Sequence, residues 1–166
     1  MRYSRLPVLV QVRWETDKAP DPMNNTNYEI TEQEPTAEEF LALRSAVGWS
    51  NPLLQTAQSA ISGSLFCVCV RHNGELVAFG RVVGDGSFIF YIQDMIVHPD
   101  HQKQGLGRAV MDRIMSYIEA AGGDDAYIGL MAARGASGFY ERFGFSIREE
   151  EQPGMQRMPV FRQGGN

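Results

Sequence analysis

Three apolar, strand-like runs joined by two-residue turns lead straight into a long amphipathic helix between residues 65 and 122. "LFCVCVR" and "LVAFGRVVG" flank Asn73-Gly74, a pair that accepts the positive φ angles of a tight hairpin, and "SFIFYIQDMIV" follows Asp85-Gly86 in the same way. Runs joined this closely must lie antiparallel. The third run is apolar on both faces, which predicts a central place in the sheet. After it, Leu106, Val110, Met111, Ile114, Met115 and Ile118 recur at three- and four-residue spacings as far as Gly122-Gly123. They form one apolar stripe that must pack on the sheet. The chain is thereby confined to an α/β (α+β) fold.

The flanking segments extend this frame. From Tyr28, "YEITE" reads as a short strand and "PTAEEFLALRSAV" as a helix, with Pro35 near its start and Gly48 beyond its end. Phe40, Leu43 and Val47 share its inner face. "NPLLQTAQSAI" reads as a second helix capped by Asn51 with Pro52 at its first position, and Trp49 lies in the connection. Later, "AYIGLMA" is a strand, "GASGFYERF" a short helix, and "FSIREE" with "MQRMPVF" a final pair of strands. The order is βααβββαβαββ, a mixed, mostly antiparallel sheet of about six to seven strands flanked by about four helices. Residues 28–166 are expected to form a single domain. Residues 1–27 differ: "VLVQVRWET" alternates like a strand and "DKAPDPMNNTN" is a turn-rich linker. They read either as an upstream extension, native or introduced, or as an added edge strand.

With 166 residues, 43% of them hydrophobic and 21% charged, one domain with a core of ordinary size is expected. A formal charge of −5 argues against nucleic-acid or anionic-membrane partners, which select a clustered basic surface. No apolar run reaches spanning length, and "LPVLVQV" is too short for a secretion signal. A cytoplasmic protein is expected. Cys67 and Cys69, two apart on a strand, share a face and read as buried, reduced thiols. His72 completes a nominal Cys-x-Cys-x-x-His set, but a closed zinc site needs a fourth ligand and the sequence offers no second cluster, so no metal is expected.

The connection "IVHPDHQKQGLGRAV" carries the chemistry. A strand delivering the chain through a glycine-bearing loop to a helix start presents unpaired N–H groups with the positive end of the helix dipole behind them, which is an anion site. Gly105 and Gly107 let the backbone approach a ligand, while Gln102, Lys103 and Arg108 add polar or positive reach. A Walker loop is excluded because Arg108 and Ala109 follow Gly107 where Lys and Ser/Thr are required. A dinucleotide fingerprint is excluded by the seven residues between Val97 and Gly105 and by Val110 at the third glycine position.

"VHPDHQKQGLG" resembles the Val-x-Pro-x-x-Gln/Arg-x-x-Gly-x-Gly/Ala loop of the GNAT superfamily of N-acetyltransferases, and "SGFYERFGF" resembles that family's second signature. The resemblance covers roughly residues 28–160. It implies acetyl-CoA as cosubstrate, with its pyrophosphate at Gln102, Lys103, Gln104, Gly105, Leu106, Gly107 and Arg108. The pantetheine arm would pair with Met95, Ile96 and Val97 as though it were an added strand, entering where the central strands splay after a bulge. Tyr140 matches the family's proton donor to the leaving thiolate, with Phe139 beside the cofactor. Its bland alternative is a core aromatic.

Acetyl transfer asks for three things: an amine freed of its proton, a donor for the developing oxyanion, and a proton for the thiolate. With phenol near 10 and thiol near 8.5, that last donation is uphill by about 2 kcal/mol, within reach of a strengthening hydrogen bond. Asp94, the sole carboxylate in the third run, reads either as a brace for the loop or as a base or amine anchor, because a carboxylate on a buried strand must be paired or used. "IQDMIV" is similar to the matching strand of glucosamine-phosphate N-acetyltransferases, but Gln93 replaces their Glu. Many relatives carry Asn or Asp where this chain has Ala133. His98 and His101 read as solvent-exposed turn residues. An acceptor pocket is expected from Trp49, Leu53, Phe66, Phe79, Arg81, Tyr91 and Gln93. "FGRVVGDG" followed by "IQDMIV" looks like the corresponding segment of plant serotonin N-acetyltransferases. The expected reaction is direct transfer of acetyl to a small-molecule primary amine, aromatic or apolar. Acetylation of a protein or peptide and a catalytically silent acetyl-CoA-binding module are the alternatives. A homodimer is expected.

Overall fold

The computed structural model describes residues 28–156. Five strands form one sheet: β1 Tyr28–Thr31, β2 Phe66–His72, β3 Glu75–Gly84, β4 Ile89–Val97 and β5 Tyr127–Leu130, hydrogen-bonded in the order β1-β2-β3-β4-β5. The helices are α1 Ala37–Ala46, α2 Leu54–Ser62, α3 Leu106–Gly122 and the one-turn α4 Ser137–Tyr140. β1 to β4 pair antiparallel in sequence order, as the turn signals require. Asn73 and Gly74 take φ of 52° and 86° in the β2–β3 hairpin. Asp85 organises the next turn by accepting the N–H groups of Ser87, Phe88 and Ile89 at 2.9, 2.8 and 3.0 Å.

Each face of the sheet has its own helical cover. On one face Cys67, Cys69, Phe79 and Ile96 pack with Ala37, Phe40 and Leu43 of α1 and Ala57 and Ile61 of α2. On the other lies α3. There a Cβ on Gly80 would stand 2.5 Å from Met95 Sδ and 2.7 Å from Val110 Cγ1, so only glycine lets the helix come this close. Phe66 and Phe90 meet the α3 side chain Tyr117 at ring-centroid distances of 4.4 and 6.4 Å.

Three sequence expectations need correction. β4 is interior but, among the described residues, second from the end, and β3 is the middle strand. α2 starts at Leu54 with Leu53 as its uncapped N-cap. Asn51 instead donates to Leu41 O and Ser45 Oγ at 3.0 and 2.8 Å, closing the end of α1. Residues 145–150 form no strand: Ile147 is 78% exposed, with no neighbouring strand among the described residues to bury it. The expected "MQRMPVF" strand lies almost wholly outside the described residues, as do residues 1–27, which leaves five strands where six to seven were expected.

The chain divides into two compact units at Gly129/Leu130. In the second, α4 continues into a single 3-10 turn at Glu141–Phe143 that ends on Gly144 at φ 83°.

α1 begins with a capping box in which Thr36 Oγ1 accepts from Glu39 N at 3.2 Å and Glu39 Oε2 accepts from Thr36 N at 2.9 Å. The same carboxylate receives both terminal nitrogens of Arg71, Nη2 at 3.0 Å, which ties the helix to β2. The Arg71 hydrogen bond holds Glu39 down from 4.5 to about 2 in spite of its burial. A carboxyl whose pKa falls on folding stabilises in full above the unfolded value and loses that contribution as pH falls through the folded one. The stability advantage of the native chain over Glu39→Gln should therefore be full above pH 4.5, shrink on acidification and vanish below about pH 2. Urea midpoints across that range check it; a pH-independent difference would show that the ion pair contributes nothing.

Candidate active site

Along the β3–β4 pair the register runs from Phe79↔Ile96 to Arg81↔Gln93, so one extra residue of β4 bulges opposite Gly80. Asp94 sits in the bulge at φ 52°, a left-handed conformation that costs a non-glycine residue energy unless its surroundings impose it. The imposing contacts are visible. One carboxylate oxygen accepts from Arg44 Nη1 of α1, and the other accepts from Arg81 Nε of β3 at 2.8 Å. Asp94 is 9% exposed and is the one buried charged residue among those described.

Both guanidiniums are anchored in turn. Arg44 Nη2 donates to Ser50 O at 2.8 Å, and its cation lies 5.4 Å from the Phe40 ring and 5.3 Å from the Trp49 ring. Arg81 Nη1 donates to Ala60 O at 2.9 Å and Ser64 Oγ at 3.2 Å near the end of α2. Arg44 Nε alone is buried without an acceptor among the described residues. Sequence reasoning missed Arg44. Its signal was present, since it lies one turn after Phe40 and next to Leu43 on the stripe that faces the sheet.

Past Val97 the chain makes one 3-10 turn, Pro99–His101, and reaches α3 through a loop whose shape depends on two left-handed residues, Lys103 at φ 61° and Gly105 at φ 82°. Gln102 Nε2 folds back to donate to Val97 O at 3.1 Å. Gly105 is the N-cap of α3, its carbonyl accepting from Ala109 N at 3.0 Å. Leu106 is buried and fixes the helix to the sheet, while Gln104, Lys103 and Arg108 remain exposed and Gly107 half-buried. The first-turn N–H groups of a helix have no intrahelical acceptors, so this end of α3 could take an anion, with the exposed cations Lys103 and Arg108 beside it. Of the three preceding residues, Ile96 buries its side chain among α1 and α2, Met95 packs toward Gly80, and Val97 is half-buried. β5 runs beside the first half of β4: Tyr127 N donates to Phe88 O at 2.7 Å, and Gly129 faces the Tyr91 ring.

The expected pocket residues separate. Arg81, Tyr91 and Gln93 are half-buried, and Trp49 stands at the 36% exposed end of the Arg44 cluster. Phe66 does not belong with them, because it stacks on Tyr117 of α3 on the opposite face. Phe79 is fully buried edge-on to Phe40, 5.5 Å between centroids, and is core. Leu53 is 80% exposed at the start of α2. His98 and His101 lie at the 3-10 turn, as expected, but half-buried instead of fully exposed: their rings lie 5.8 Å apart, and His72 is 5.0 Å from His101. Cys67 and Cys69 are buried free thiols, with burial pushing Cys69 up to about 12.

In the second unit, Tyr140 closes α4 with 9% of its surface exposed. Its ring lies 5.0 Å from Phe139 and 6.2 Å from Phe145. Burial pushes the phenol above its ordinary value, so it stays protonated at neutral pH.

These features agree with what comparison finds. The sequence profile of the Acetyltransferase (GNAT) domain matches residues 62–147. A crystal structure from methicillin-resistant Staphylococcus aureus, a protein of unknown function described as a probable acetyltransferase, superposes with a TM-score of 0.76 at 32% identity, over 80% of this chain and 99% of that one. The chain therefore belongs to the GNAT family of acetyltransferases. It is 39% identical over 82 residues to serotonin N-acetyltransferase 2, chloroplastic, of Oryza sativa, 49% of this chain and 40% of that protein. It is 35% identical over 80 residues to the ribosomal protein bS18-alanine N-acetyltransferase of Escherichia coli, 46% of this chain and 52% of that one. The chain thus spans about half the length of these curated relatives. Among the described residues no helix is long and apolar enough to cross a membrane.

If the two guanidiniums hold the bulge, removing one leaves a buried carboxylate half-compensated. Arg44→Met should destabilise the fold by about 2 kcal/mol or more, and Asp94→Asn in the same background should add much less than it does alone. Urea denaturation of both single variants and the double variant measures this coupling; additive losses would remove Arg44 from the network.

Proposed function

We propose that the chain is an N-acetyltransferase that moves the acetyl group of acetyl-CoA onto the primary amine of a small molecule by direct attack in a ternary complex. The observation that carries this reading is the continuous path from bulge to anion seat: Asp94 at φ 52°, then Lys103 at 61° and Gly105 at 82°, opening into the start of α3. A pyrophosphate fits the residues present, with backbone N–H groups at 103–108 as donors, the Gln102 N–H being taken by Pro99 O, and Lys103 and Arg108 as exposed cations. Met95, Ile96 and Val97, past the stretch of β4 where Tyr127 and Gly129 lie, would offer their backbone to the pantetheine arm. When bound, acetyl-CoA supplies the activated acyl group.

The roles of the chain's own residues follow. Tyr140, kept protonated by burial, would give its hydroxyl proton to the departing sulfur. Asp94, with both oxygens held by guanidinium groups, is better suited to shape β4 than to accept a proton from the amine, the bracing role that its sequence position also allowed. Trp49, Tyr91 and Gln93 would receive the acceptor. An apolar or aromatic amine is supported by those rings and by similarity to a relative named for serotonin. Acetylation of a protein amine is the second reading, supported by similarity to a relative named for a ribosomal protein. A homodimer and a cytoplasmic setting complete the proposal. Two free buried thiols suit a reducing compartment, and the rice relative is named as chloroplastic.

Thiol release from acetyl-CoA against arylalkylamines, polyamines, amino sugars, aminoglycosides and peptides tests the proposal. Turnover of an arylalkylamine well above the others is expected; a strong preference for a peptide would move the assignment to the second reading, and no turnover with any amine would overturn it.

Gly107→Val, which puts a branched side chain in the first turn of α3, should weaken acetyl-CoA binding at least about tenfold. Calorimetry showing unchanged affinity would remove the loop from the cofactor site. Tyr140→Phe keeps the ring and loses only the proton, so kcat should fall about 10- to 1,000-fold with little change in acetyl-CoA affinity. A variant with native kcat would make Tyr140 a packing residue, since the two side chains fill similar volumes.

A further inference from the structure

One cluster outside the reaction chemistry reaches the loop from a distant part of the chain. Tyr28, the first residue of edge strand β1, lies opposite His72 of β2, and its hydroxyl meets two residues of the 98–105 connection. It donates to Gln104 Oε1 at 2.8 Å and lies 2.8 Å from His101 Nδ1. A phenol has one proton; with that proton on the Gln104 bond, Nδ1 must be the protonated nitrogen of His101 and donate to the phenol oxygen. The rings enclose the same contact, since Tyr28 is 4.9 Å from His72 and 5.8 Å, edge-on, from His101. The imidazole is half-buried in the stack, and burial, with His72 and His98 nearby, favours its neutral form.

These bonds span 73 and 76 residues and close on both sides of Lys103, whose φ of 61° is the least comfortable in the loop for a residue with a side chain. The other hydrogen bonds within this stretch, Gln102 Nε2 to Val97 O, His101 N to His98 O, Gln102 N to Pro99 O and Asp100 N to His98 Nδ1, all lie at or before Gln102 and hold its entry from β4. The exit towards Gly105 has Tyr28 as its anchor.

We propose that Tyr28 is a positioning residue for the acetyl-CoA loop: its hydroxyl, through His101 and Gln104, holds residues 102–108 in the conformation that binds pyrophosphate. This inference rests on reading that loop as the cofactor's seat. A loop already in its bound shape spends less binding energy on ordering, so the tether acts on affinity for the cofactor and leaves the chemical step alone.

The test is Tyr28→Phe in the full-length chain, which keeps the ring stack and removes only the hydroxyl. Losing a hydrogen bond of ordinary strength should raise the acetyl-CoA Kd and KM about three- to tenfold, with kcat at saturating acetyl-CoA and KM for the amine unchanged. Amide hydrogen exchange across 102–108 should quicken in the absence of ligand, while exchange in β2 and β3 stays native. A cycle with Gln104→Leu should be non-additive, since the second change removes a partner of the same hydroxyl. Native acetyl-CoA affinity in Tyr28→Phe, or a loss additive with Gln104→Leu, overturns the proposal. If the unmodified chain fails to bind acetyl-CoA, the reading of the loop fails by itself; loop exchange then decides whether the Tyr28 tether exists, and unchanged exchange overturns that as well.

Discussion

A single carboxylate shared by two guanidiniums determines how the sheet is built. Asp94 holds a left-handed backbone angle inside β4 because Arg44 reaches it from α1 and Arg81 from β3. Without that clamp the strand would run on regularly, and every later residue would present the opposite face. The bulge changes the assignment of faces: Phe90 points toward α3, whereas Ile96, an even number of residues further on, packs with Phe40 and Phe79 under α1. Met95 is accordingly the residue that fills the α3 side, against Gly80.

This shift also explains why the end of β4 and the loop behave as one object. Ile96 is locked in the α1/α2 core, and Val97 O accepts the Gln102 side chain, so the chain enters the connection with its direction set. Leu106, buried at the far side, sets the axis of α3. Between these fixed points lie two left-handed residues, and the tension there is absorbed by hydrogen bonds instead of by apolar packing. Neutral hydrogen bonds are individually modest, which is why a tether from β1 matters more here than it would in the core.

Much of this was legible in the sequence for a definable reason. The hairpin turn at Asn73-Gly74, the chain reversal at Asp85-Gly86, which takes the four residues 85–88 where two were expected, the stripe of α3 and the Gly105–Gly107 loop are local patterns, and local patterns survive folding. The failures are all non-local. Phe66 and Phe79 look like pocket aromatics until the face of each strand is known, and the bulge that sets faces in β4 cannot be read from "IQDMIV", because alternating burial continues straight through it. Arg44 stands visibly on the inward stripe of α1, but what it does there depends on a partner fifty residues away. Asn51 was drawn to a helix start by its chemistry but serves the end of the preceding helix. The expected strand at residues 145–150 has two apolar positions and no partner among the described residues, since most of the segment expected to pair with it lies outside them.

The charge balance around Asp94 bears on the base that the sequence left open. Two guanidiniums and one carboxylate leave a local excess of one positive charge, and both cations are less than one-fifth exposed. In the proposed reaction the acceptor amine arrives on the side lined by Trp49, Tyr91 and Gln93, within the field of that excess. A positive environment disfavours the ammonium form and lowers the pKa of a bound amine. An alkylamine near 10 in water needs a base chiefly because so little of it is neutral at pH 7; each unit by which the site lowers that value raises the neutral fraction about tenfold. The arrangement thus reduces the demand on a dedicated base. A water molecule hydrogen-bonded to Tyr91 or Gln93 would then be enough to take the amine's proton into solvent, and Asp94 would keep both of its arginines.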